Sequence, residues 1–98
     1  MKGYVLAEVE VTDPVVFEQY RPLAAASIAA FGGRYVIRGG AAERLEGDRP
    51  VRRFVLLEFA SPERAREWYQ SPGYQHAKSI RERAARTHVF LIDGTEPG

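Results

Sequence analysis

Residues 4–11 alternate without a fault: Val5, Ala7, Val9 and Val11 fall on one side, Tyr4, Leu6, Glu8 and Glu10 on the other. A period of two gives a β-strand one apolar face, so this stretch predicts the first strand. Thr12-Asp13-Pro14 then reads as a helix start. An Asp side chain accepts from the free amides of a first turn, and Pro at the first helical position loses no donor that is needed. Phe17, Tyr20, Ala24, Ile28 and Phe31 follow at steps of three and four, the stripe of an amphipathic helix. Pro22 falls inside that stripe and cannot donate to the carbonyl four residues back, so a kink or short break is expected near Arg21. Gly32-Gly33 ends the helix.

Arg34 to Arg38 is β-rich and runs into Gly39-Gly40, which reads as a bulge or sharp bend. Ala41 to Glu46 is expected to continue the ribbon to a turn at Gly47-Asp48-Arg49-Pro50, with Arg53 to Phe59 as the returning strand of a long hairpin. Ser61-Pro62 opens a second helix, with Ala65, Trp68 and Tyr69 inward, and Ser71-Pro72-Gly73 restarts it through Tyr74, Ala77, Ile80 and Ala84. Thr87 to Asp93 is the last strand. The order β-α-β-β-α-β predicts an α+β, ferredoxin-like domain over residues 1–94, with a four-stranded antiparallel sheet, two helices on one face and a disordered tail at 95–98. The uncovered face would carry Leu6, Phe54 and Leu56, and an apolar face of that kind calls for a second layer, most simply another copy of the sheet.

Composition narrows the picture. At 98 residues with 45% hydrophobic and 28% charged positions, the chain is an ordinary globular domain. A core of that size is thin, which also favours a partner subunit. The absence of Cys excludes disulfides, thiolate ligation and a thiol nucleophile. No run approaches the about 18 apolar residues of a membrane span, and Met1-Lys2-Gly3-Tyr4 leads straight into strand pattern instead of a signal peptide, so a cytoplasmic location is expected. A formal net charge of +1 selects neither nucleic acid nor a membrane surface. Residues 62–86 carry Arg64, Arg66, Lys78, Arg81, Arg83 and Arg86 against Glu63, Glu67 and Glu82, and the interleaved glutamates suit a solvated helix face better than nucleic-acid binding.

Gly3-Tyr4, Val9 to Pro14, Gly32-Gly33-Arg34-Tyr35, Arg38-Gly39-Gly40, Glu46-Gly47-Asp48, Glu58-Phe59, Ser71-Pro72-Gly73-Tyr74 and Arg81-Glu82-Arg83-Ala84, in this order and at these spacings, resemble the family known as domain of unknown function 1330. The resemblance spans nearly the whole chain. It implies the dimeric α/β-barrel superfamily, in which two ferredoxin-like sheets enclose a shared interior. Members of that superfamily include cofactor-independent monooxygenases, isomerases, haem-dependent peroxidases and proteins without known activity, so the fold does not choose the chemistry. Monooxygenase relatives use Asn and Trp side chains, and this chain has no Asn.

Among candidate site residues, His76 and His88 stand apart without a metal-ligand spacing, so no metal and no cofactor is expected. The glycine pairs match no phosphate-binding fingerprint, and Ser71 reads as a helix cap. Glu8, Arg38 and Glu58 remain, and a hairpin turning at Gly47 to Pro50 would bring Arg38 and Glu58 together across the strands. One reading makes them a salt bridge that fixes dimer register. The other makes Glu58 an acid/base carboxylate beside an anion-binding Arg38, with Gly39, Gly40, Tyr69 and Tyr74 completing the substrate site. The corresponding functions are cofactor-independent acid/base chemistry on a small anionic or carbonyl compound, or a non-catalytic ligand-binding or stress-associated homodimer. The pocket is expected between the helices and the sheet, or inside the shared barrel.

Overall fold

A computed structural model describes residues 1–95. The elements run β1 (Lys2–Val11), α1 (Pro14–Ala30), β2 (Arg34–Arg38), β3 (Arg53–Phe59), α2 (Pro62–Gln70), α3 (Pro72–Arg81) and β4 (Ala85–Gly94). The strands form one antiparallel sheet in the order β2-β3-β1-β4, the ferredoxin-like α+β arrangement.

All three helix starts follow the cap chemistry of the sequence. Val16 N donates to the Asp13 carboxylate, Arg64 N to the Ser61 hydroxyl and Tyr74 N to the Ser71 hydroxyl, each with Pro in the first turn. Ser71 does more than restart a helix. Its extended backbone (φ −66°, ψ 148°) and the missing N–H of Pro72 separate α2 from α3, so the helical layer has three helices where two were expected.

Two other expectations need correction. Helix α1 passes through Pro22 without a break. The carbonyl that Pro22 leaves free belongs to Glu18, an exposed residue within reach of water, and buried Phe17, Ala24 and Ile28 hold both halves against the sheet. Ala41 to Glu46 does not extend the ribbon. Gly39 accepts a left-handed backbone (φ 71°) and donates the last link to the Phe54 carbonyl at 2.9 Å, after which the chain leaves the sheet as an exposed connection back to β3. The irregularity within β2 lies at Val36, between the Tyr35–Leu57 and Ile37–Leu56 pairs.

The core sits between helices and sheet. Phe59 and Trp68 are its largest fully buried side chains, and Ser27 accepts from the Trp68 indole N–H at 3.0 Å while donating to the Ala24 carbonyl. Gly3 is required here, because a Cβ would come within 2.6 Å of the Pro62 backbone. The opposite face of the sheet carries a row formed by Ile37, Leu56, Leu6 and Phe90, one residue from each strand, with Phe90 53% exposed. Among the described residues no helix is long and apolar enough to cross a membrane.

Candidate functional site

A cavity of about 200 Å³ lies between α1, α3 and the helix-facing side of the sheet. Strand alternation supplies its apolar floor, with Val5, Ala7, Val55 and Leu57 on the inner strands and Val89 on β4. Among the described residues four arginines line it, Arg21, Arg38, Arg53 and Arg81, and no Asp, Glu or His does.

Arg81 is the unusual one. It comes from the last turn of α3, is only 6% exposed, and donates from Nη1 to the Tyr74 hydroxyl at 2.7 Å. Its Nε has no hydrogen-bond partner, and among the described residues no carboxylate forms an ion pair with it. A guanidinium taken out of water without a counter-ion is expensive, so an unpaired one against a cavity points to something outside the chain.

The Tyr74 and Tyr20 hydroxyls are 3.0 Å apart, extending the contact from Arg81 toward α1. Burial pushes the Tyr74 phenol well above its ordinary range, the neighbouring Tyr20 adds to this, and Arg81 opposes it only in part. Tyr74 therefore stays protonated and is no base. Tyr35 is also raised, by burial first, with the Arg38 guanidinium 4.2 Å above its ring pulling the other way. Arg21 is partly engaged already, over the Phe17 ring at 5.5 Å and 3.5 Å from Glu18.

The expected pairing of Arg38 with Glu58 does not form. Arg38 lies opposite Val55, three positions short of Glu58, and an odd offset puts the two side chains on opposite faces of the sheet. Arg38 and Gly39 border the cavity, whereas Glu58 faces away from it, accepting from Arg34 Nε and the Tyr4 hydroxyl at 2.9 Å each. Those two bonds, Arg34 first, hold the Glu58 carboxyl below its usual range. Glu8 is on the same outer face, 3.8 Å from Arg49. Tyr74 lines the cavity, Tyr69 packs behind it with ring centroids 5.5 Å apart, and Gly40 is away from both. His76 and His88 are exposed, and among the described residues no cluster of three potential ligands could hold a metal.

Arg53 and Arg81 are cavity residues that the sequence pattern did not single out, and Tyr20 it placed on the inward stripe of α1 without assigning it to a site. Arg81 had a signal: Tyr74, Ala77, Arg81 and Ala84 recur at three and four, and all four are buried.

The sequence profile of the domain of unknown function DUF1330 matches residues 2–95, and the chain belongs to this family. Comparison with curated proteins gives no match. Among solved structures, a protein of unknown function from Rhodopseudomonas palustris superposes with a TM-score of 0.77 at 18% identity, over 98% of this chain and 84% of that one. SnoaB, a cofactor-independent oxygenase from Streptomyces nogalater, gives 0.62 at 14% identity over 98% and 95%. A dimeric ferredoxin-like protein of unknown function from Thermobifida fusca gives 0.64 at 16% identity over 95% and 91%. These similarities establish the fold.

Proposed function

We propose that the chain binds a small organic anion in the cavity between helices and sheet, and that it works as a homodimer. The observation that carries this reading is Arg81, a buried guanidinium with an unpartnered Nε and, among the described residues, no carboxylate paired with it. A carboxylate or enolate oxygen of a ligand supplies the missing counter-charge where the guanidinium borders the cavity. Tyr20 strengthens the site. An arginine can only donate, so the Tyr74 oxygen accepts from Arg81, and with Tyr74 donating its O–H in a hydrogen bond to the Tyr20 oxygen, the Tyr20 O–H is left free for the ligand. Hydrogen bonds in such a chain polarise one another.

The cavity wall offers donors and no base. Its chemistry is accordingly electrophilic: Arg81 and Tyr20 hold negative charge on a substrate oxygen, the way preorganised donors favour an enolate-like state. That revises the acid/base role expected of Glu58, which faces the other side of the sheet. Likeness in fold to an oxygenase that needs no cofactor is compatible with chemistry carried by the substrate itself. A binding protein without turnover is the second reading, and the absence of carboxylate and imidazole from the cavity lining favours it.

The dimer rests on the row Ile37, Leu56, Leu6 and Phe90, an apolar strip across all four strands that the chain itself leaves open. Two such faces brought together would close the α/β barrel, and the Thermobifida fusca neighbour is described as dimeric.

A thermal-shift screen of small organic acids tests the binding reading. Stabilisation by members of the panel, lost in Arg81→Met, is expected; no stabilisation by any acid would overturn it. Product analysis on the acids that bind then separates enzyme from binder.

A further inference from the structure

We infer that the ligand is a dianion, with one negative group held deep in the cavity by Arg81 and Tyr20 and a second held at the mouth by Arg38 and Arg53. This rests on the anion-binding reading and goes beyond it by fixing the charge of the ligand and its placement.

The cavity receives arginines from both of its layers, Arg81 from α3 above and Arg38 and Arg53 from the sheet below. Its deep place is the Arg81, Tyr74 and Tyr20 chain described above, with Arg81 6% exposed. The mouth lies on the same face of the sheet, toward its β2 edge. Arg38 belongs to the edge strand β2 and Arg53 to its neighbour β3, and both are exposed. They meet around Gly39, where a Cβ would lie 2.9 Å from Arg53 Nε, and Arg38 is held over the Tyr35 ring. Among the described residues neither arginine is in an ion pair, a state they share with Arg44, Arg66, Arg83 and Arg86, but of these six only Arg38 and Arg53 line the cavity. The cavity wall reaches Arg38 on one edge strand and Thr87 and Val89 on the other. Three strand spacings separate those edges, roughly 14 Å of sheet. Val55, Ala7 and Val5 belong to the cavity's apolar floor.

A single carboxylate satisfies one end and leaves the other cationic. A short carbon body with a negative group at each end satisfies both, and its middle covers the valines. The two ends are unequal in consequence. The buried Arg81 contact anchors the ligand, whereas the exposed Arg38 and Arg53 contacts are weakened by solvent and select for the second charge.

Calorimetric titration of matched acids on one carbon skeleton tests this: hexanoate against adipate, and benzoate against terephthalate. The diacid of at least one pair is expected to bind about tenfold more tightly than its monoacid, the gain of one charge-assisted contact at a partly exposed site. In the double variant Arg38→Gln/Arg53→Gln that advantage disappears while the monoacid affinity holds. In Arg81→Met both acids lose binding. Equal affinity for mono- and diacid in every pair would overturn the dianion and leave the anion cavity standing. A diacid advantage that survives Arg38→Gln/Arg53→Gln would equally overturn the placement of the second charge. Binding by none of the four acids would overturn both readings.

Discussion

Arg81 donates to the hydroxyl of Tyr74 at 2.7 Å, and the two residues are 6% and 2% exposed. Nothing among the described residues neutralises the charge that this contact buries. Stability alone does not explain such an arrangement, since an uncompensated interior cation costs free energy that a neutral side chain of similar volume does not. Arg81 is therefore the residue on which the proposed anion binding rests.

Arg81→Met should accordingly leave the melting temperature unchanged or raise it. The lost hydrogen bond to Tyr74 is worth about 0.5–1.5 kcal/mol, and relief of desolvation offsets it, while Tyr74 retains its contact with Tyr20. Thermal denaturation of the ligand-free variant checks this. A fall of several degrees would mean that Arg81 is structural.

Ser27 is the reverse case, a small residue on which the core depends. It accepts from the Trp68 indole and donates to the Ala24 carbonyl, so Ser27→Ala strands a buried N–H and should cost about 1–3 kcal/mol. Trp68→Ala removes the whole ring and should cost about 3–5 kcal/mol. Urea unfolding of both variants should give this ranking.

Much of this was legible in the chain. Asp13, Ser61 and Ser71 announce their helices because capping is local chemistry, and strict alternation over residues 4–11 sorts β1 into two faces. The pairing of Arg38 with Glu58 failed for a different reason. It required the register of a hairpin whose connection, residues 39–52, has no strand structure, and the irregularity at Val36 shifts the count again. A three-residue error exchanges faces, and with them the site and the outer surface. Arg81 escaped notice because charge suggests solvent. Its place on the Tyr74, Ala77 and Ala84 stripe was the contrary signal, and Ile80, assigned to that stripe, is only half-buried.

Glu58 now predicts a pH effect on stability and no effect on ligand binding. Its carboxyl is held below the ordinary value of 4.5 by bonds from Arg34 and Tyr4 in the folded state. A depressed folded value means the contribution is fully present above about pH 4.5 and is lost as the pH falls through the lowered value. Melting temperature against pH should therefore drop on the acid side. Glu58→Gln should lower the plateau and flatten that limb, with acid binding at neutral pH unaltered.

The outer face predicts the assembly. Leu56 sits between Ile37 and Leu6 in the row that ends at Phe90. Sedimentation should give the mass of two 11.0 kDa chains, and Leu56→Glu or Phe90→Glu should return the mass of one. A wild-type monomer at micromolar concentration would contradict the proposed dimer.

The most direct measurement is a crystal structure of the protein grown with an acid that stabilises it. Density for the acid is predicted between α1, α3 and the sheet, with a carboxylate oxygen about 3 Å from a guanidinium nitrogen of Arg81 and from the Tyr20 hydroxyl. Density for the acid elsewhere on the molecule, with only water beside Arg81, would contradict it.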